Sequence, residues 1–129
     1  MTAESTGPVS PSGSDRPGIL TQEDRAGVLL LTVTVPQIDD TNADRLGQEM
    51  ERASATAAQP RVVLNLERID YLSSAALGIF IAFRQKLDRE GGKLRLCGLQ
   101  ANIAQVFRLT KLDRAFDIRP DLDRALSSF

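Results

Sequence analysis

The spacing of apolar residues along the chain changes several times, and each change marks an element. From Val28 to Val35 the pattern has period two. Leu29, Leu31, Val33 and Val35 fall on one face of an extended chain, and Val28, Leu30, Thr32 and Thr34 fall on the other. This predicts a strand that Pro36 ends, with Ile19 to Arg25 as a short partner turned at Ala26-Gly27. Next comes a turn cluster, Asp39-Asp40-Thr41-Asn42, in which Thr41 and Asp44 have the spacing of a capping box. The period then becomes helical: Ala43, Leu46, Met50 and Ala53 form one stripe of a helix over 42–56, closed before Pro60.

Val62 to Leu66 is a short, nearly continuous apolar run, which suits a strand covered on both faces. A turn over Glu67 to Asp70 leads to Ser73-Ser74, directly before a second helical pattern over 74–90. Ala76, Ile79, Phe80, Phe83 and Leu87 are its buried stripe, and Gly91-Gly92 supplies the left-handed conformation that ends it. Lys93 to Cys97 alternates and predicts a third strand with Leu94 and Leu96 inward. Asn102 is placed to cap a third helix carrying Ile103, Val106, Phe107 and Leu109. Phe116 to Ile118 predicts an edge strand, and Pro120-Asp121 opens a last short helix with Leu122, Ala125 and Leu126.

Strands alternating with helices of this length predict an α/β fold. The expected architecture is a single domain over 18–129. It has a four- to five-stranded, mixed, mostly parallel sheet, right-handed crossovers and about four helices. Residues 1–17, rich in Ser, Thr, Pro and Gly, are expected to form a disordered tail.

Composition then narrows the chemistry. There is no histidine, which excludes histidine triads and His-ligated metal sites. The single cysteine, Cys97, excludes an internal disulfide and fits a reducing compartment. The chain has no GxxxxGK[ST] or GxGxxG phosphate loop. Sixteen basic against 17 acidic residues leave a net charge of −1, which points to neither nucleic acid nor a membrane surface. With no secretory signal and no long apolar run, the expected location is the cytoplasm. No enzymatic activity, metal or cofactor is expected.

The candidate chemistry lies at Ser73-Ser74. The first amides of a helix lack internal partners and carry partial positive charge, so such a site tolerates a phosphate. Serine is also a preferred N-cap, so the pair reads either as a modification site or as a cap. Asp39 and Asp40 read, from the residues alone, as turn residues. Gly78, inside a helix, costs about 1 kcal/mol relative to alanine and points to close approach by neighbouring backbone or by a partner. Arg84, Lys86, Arg89, Lys93 and Arg95, interrupted by acids, read as a solvated face.

From Val28 onward the chain resembles STAS domains, the fold of bacterial anti-sigma factor antagonists. The resemblance is carried by Val63-Leu64-Asn65-Leu66 followed by Ile69-Asp70-Tyr71-Leu72-Ser73-Ser74-Ala75-Ala76-Leu77-Gly78. Gly91 to Leu99, Val106 to Asp113 and Phe116-Asp117-Ile118 support it in order. It implies a protein-binding switch that sequesters an anti-sigma factor, itself a serine kinase, and so frees a sigma factor. Phosphorylation of the helix-start serine would weaken that binding, and a serine phosphatase would restore it. An ungapped alignment puts that serine at Ser74, with Ser73 as the alternative. The implied partner surface is Asp39, Asp40, Ser73, Ser74, Ala76 and Gly78. A different role in the same family is that of a stand-alone adaptor, without phosphorylation, for a lipid-transport ATPase or a stress-signalling complex.

Overall fold

The structure, a computed structural model, describes residues 18–55 and 57–127. The tail proposed over 1–17 and the final two residues of the expected domain lie outside the described residues. The elements in order are β1 (Leu20–Arg25), β2 (Val28–Val33), β3 (Gln37–Ile38), α1 (Ala43–Ser54), β4 (Arg61–Asn65), β5 (Tyr71–Leu72), α2 (Ser74–Arg89), β6 (Lys93–Cys97), α3 (Ala101–Leu109), β7 (Asp117–Arg119) and α4 (Leu122–Leu126). A 3-10 turn, Leu112–Arg114, links α3 to β7.

The main sheet has five strands in the order β1-β2-β4-β6-β7. β1 and β2 are an antiparallel hairpin, and every other neighbouring pair is parallel. The α/β class, the mixed sheet and the four helices match the reading from sequence. β3 and β5 form a separate two-residue parallel ribbon, Gln37 against Tyr71 and Ile38 against Leu72. The predicted strand over 28–35 therefore stops at Val33, and the chain crosses to this ribbon instead.

Both faces of the sheet are covered, which explains the unbroken apolar run of β4. Val62 and Leu64 enter the large core with Leu31, Val33, Leu46, Met50, Phe80 and Leu96. Val63 points the other way, into a small second core with Val28, Leu30, Cys97 and Ala125, closed by Leu122 and Leu126 of α4. Val62, Val63 and Leu64 are all fully buried. At about 25 cal/mol per Å² of apolar surface removed from water, such side chains each contribute about 1.5–3 kcal/mol.

Arg95 departs from expectation. On β6 it alternates with Leu94 and Leu96, so it faces the second core rather than solvent. Its Nε donates to Asp117 Oδ2 at 3.0 Å. Its Nη1 donates to the carbonyls of Ala125 (3.0 Å) and Ser127 (2.8 Å). A guanidinium is buried here because it satisfies the open carbonyls at the end of α4.

α2 ends as predicted. Gly91 adopts φ +76, and the Gly92 amide reaches Leu87 O at 2.8 Å, a Schellman closure. Gly92 also admits Pro60: a Cβ there would stand 2.4 Å from the Pro60 carbonyl oxygen.

Candidate functional site

The β3–β5 ribbon builds the site. The Pro36 carbonyl accepts the amides of Asp70 (2.8 Å) and Tyr71 (3.3 Å), and the Ser73 amide donates to Ile38 O at 2.9 Å. The turn after β4 is fixed from two more sides. Asn65 Oδ1 accepts the Glu67 amide at 3.1 Å, and Gln100 and Asn102 of the α3 region donate to Glu67 O and Asp70 O. Asn102 thus spends its side chain on this turn, and Gln100 takes the N-cap position without a side-chain cap bond, where the sequence pointed to Asn102. The net effect is that the loop after Ile38 and the start of α2 lie side by side.

The two serines divide the roles that sequence left open. Ser73 is the N-cap of α2: extended backbone, half-buried, with its hydroxyl oxygen accepting the Ala76 amide at 3.2 Å. Ser74 is the first helical residue and is exposed. Among the described residues, the amides of Ser74 and Ala75 have no protein acceptor. These open donors and the helix dipole make negative charge on Ser74 locally tolerable.

Asp39 is held in its own turn. Oδ1 accepts the Thr41 amide at 2.9 Å and the Thr41 hydroxyl at 2.6 Å. These bonds, the hydroxyl's first, hold its carboxyl below the usual carboxylate range. The Thr41–Asp44 capping box does not form, because Thr41 is committed to Asp39. Asn42 precedes α1 without a side-chain cap bond, and its amide group bridges Gln37 O and the Asp39 amide. Asp40 is exposed on the same turn.

Gly78 is exposed, and a Cβ added there would meet nothing within 4 Å. Tight packing does not require this glycine, so its effect is to leave the helix surface bare one turn beyond Ser74. Ala76 is different: it is 0% exposed and belongs to the large core. Its inclusion in the partner surface is therefore corrected. It carries the cap bond and supports the face from beneath. The exposed side of α2 reads Ser74, Ala75, Gly78, Ala82, Gln85, small and uncharged through its first two turns. Tyr71, missed as a surface residue, is 49% exposed on β5, three residues before Ser74. The signal was present in the period-two pattern, since Leu72 is inward and its neighbour must face out.

No group of three or more His, Cys, Asp or Glu residues that could hold a metal ion occurs among the described residues. Cys97 is buried, and loss of water pushes its thiol up to about 11, so it is inert as a nucleophile. No helix among the described residues is long and apolar enough to cross a membrane.

The fold, a five-stranded mixed sheet with four helices among the described residues, has counterparts of known family. The chain belongs to the STAS domain family, whose model matches residues 20–125. Its relatives include BtrV of Bordetella bronchiseptica, a candidate anti-sigma factor antagonist, 28% identical over 106 residues that cover 82% of this chain and 90% of BtrV. The crystal structure of an anti-sigma factor antagonist from Mycobacterium paratuberculosis aligns at 30% identity and TM-score 0.74, covering 84% of this chain and 91% of that one. The unphosphorylated form of the anti-sigma factor antagonist SpoIIAA shares the fold at 13% identity, with TM-score 0.62 and coverage of 81% and 91%.

Proposed function

We propose that this chain is an anti-sigma factor antagonist: a non-catalytic, cytoplasmic protein that docks on an anti-sigma factor through the Asp39–Asp40 turn and the exposed face of α2. We further propose that a partner serine kinase phosphorylates Ser74 to release the complex and that a serine phosphatase reverses the modification. The observation that carries this reading is the division of labour between the serines. Ser73 is half-buried and holds the cap, whereas Ser74 presents its residue to solvent at the helix start.

The physical logic is that of a switch that spares the fold. A phosphoryl group adds nearly two negative charges and three acceptor oxygens. At the first helical position it meets open amides and the positive end of α2, so the domain stays folded. The surface, however, passes from small and neutral to anionic beside an acidic turn. A partner shaped to a bare hydroxyl and to Gly78 then meets bulk and charge. The ATP chemistry belongs to the kinase.

Mass spectrometry of the protein treated with its cognate kinase, paired with anti-sigma factor titrations of both forms, tests this. Phosphate on Ser74 and weaker binding of the modified form are expected. Phosphate on Ser73 alone overturns the residue assignment. Equal affinity of the two forms overturns the switch and leaves an adaptor role.

A further inference from the structure

The two faces of the sheet are covered unequally. α1, α2 and α3 each bury residues in the large core, whereas α4 buries none there. α4 instead lies over the strip formed by Val28, Leu30, Val63 and Cys97 on the other face. That strip is buried, yet the side chains α4 sets on it are few: Ala125 is buried, and Leu122 and Leu126 are half-buried.

α4 has little to hold it besides this contact. It is five residues long, and a helix so short does not persist alone in water. Its N-cap bond is internal, from the Arg124 amide to Asp121 Oδ1 at 2.9 Å. Among the described residues, the hydrogen bonds that tie α4 and Ser127 to the sheet are those from Arg95 Nη1 to Ala125 O and Ser127 O. On the other side of the helix, exposed Pro120 stands between β7 and the cap residue Asp121 as the joint.

Arg95 keeps a partner when α4 leaves. Its Nε donates to Asp117 Oδ2, and Asp117 lies directly opposite Arg95 in the register of β6 and β7. Release of α4 therefore strands no buried charge. It gives two carbonyls and one guanidinium nitrogen to water, which solvates them. The residues of the large core stay packed on one another.

We propose that α4 is a strap that opens and closes about Pro120 in the folded protein, gating access to the strip of Val28, Leu30, Val63 and Cys97. Arg95 is its latch, gripping the strap when it is closed and staying on Asp117 when it is open. The open form uncovers far less surface than global unfolding does, so it is reached at a lower free energy. The inference stands whether or not the chain binds an anti-sigma factor.

Cys97 reports on the strap because it lies beneath it. The test is labelling of Cys97 in the full chain by Ellman's reagent at pH 8 in sub-denaturing urea, beside a urea unfolding curve. The logarithm of the labelling rate should rise with urea at less than about one third of the slope for global unfolding, since that slope follows the area exposed. Leu126→Ala removes a contact made only by the closed strap and should label at least threefold faster. Ile103→Val, a mild change in the large core, should lower the unfolding midpoint and leave the labelling rate in zero urea within about 1.5-fold of the parent. Thermal melts confirm that both variants are folded. A urea slope equal to the global one, equal acceleration by the two variants, or unchanged labelling in Leu126→Ala overturns the inference.

Discussion

The amide of Ser73 donates to the carbonyl of Ile38 at 2.9 Å, and this bond joins the acidic turn to the start of α2. Residues 35 apart in sequence thereby form one surface. The same serine turns its hydroxyl to the Ala76 amide, so its backbone sets the position of the site and its side chain opens the helix.

Removing these hydroxyls should separate stability from signalling. Ser73→Ala loses the cap and should cost about 1 kcal/mol, which for a domain of this size lowers Tm by about 5 °C. Ser74→Ala should melt within about 1 °C of the parent, because its hydroxyl makes no bond among the described residues. Ser74→Ala should also bind the anti-sigma factor and resist the kinase. Thermal melts of the two variants check the assignment, and a larger loss in Ser74→Ala would reverse it.

Gly78→Ala offers a second separation. With open space around the added methyl group, the variant should be more stable by about 1 kcal/mol from helix propensity alone. If the bare face of α2 is the docking surface, anti-sigma factor affinity should nevertheless fall severalfold. Calorimetric titration beside a thermal melt measures both, and unchanged affinity would remove Gly78 from the surface.

Arg95→Met should be among the most damaging substitutions on β6. It strips Ala125 O and Ser127 O of their donor and takes one of two guanidinium partners from Asp117. The expected cost is about 2–4 kcal/mol. Since α4 covers Cys97, the variant should also speed thiol labelling by a disulfide reagent at pH 8, under conditions where the parent is nearly unreactive. Equal labelling rates would show that α4 stays docked without Arg95.

Acid should weaken the fold through Asp117. The Arg119 hydrogen bond first, then that of Arg95, hold its carboxyl below the usual carboxylate range. A folded-state pKa that is depressed contributes stability above the unfolded value and loses it as pH falls through the folded one. Denaturant melts should therefore show stability falling below about pH 4, as for an ordinary carboxylate. Asp117→Asn should flatten part of that slope, and an identical slope in the variant would assign it to other carboxylates, Asp39 among them.

The fold was legible in sequence because its signals were redundant. The unbroken apolar run of Val62 to Leu66 required cover on both faces, and Gly91-Gly92 ended α2 where a Schellman motif needed them. What sequence could not give was the use of polar side chains at long range. Thr41 is placed for a capping box but is taken by Asp39, and Asn102 leaves its expected cap for Asp70 O. Arg95 looks like one more solvated cation until α4, some 30 residues later, brings carbonyls to it. Ala76 matched a family pattern by position, yet the helical phase that buries it was already visible in its spacing to Phe80 and Phe83. The short β3–β5 ribbon, two residues per strand, is below the length at which a period can be read.

The dependence of the second core on Arg95 and Ser127 also sets an order of events on the ribosome. β2, β4 and β6 are complete once Cys97 has been added, yet the carbonyl that anchors α4 arrives 30 residues later. At translation rates of about 5–20 residues per second, that interval is roughly 2–6 s. Throughout it Val28, Leu30, Val63 and the Cys97 thiol have no cover from α4. Until α4 is made and docks, Val28, Leu30 and Val63 are thus a part of the nascent sheet open to chaperones and to aggregation.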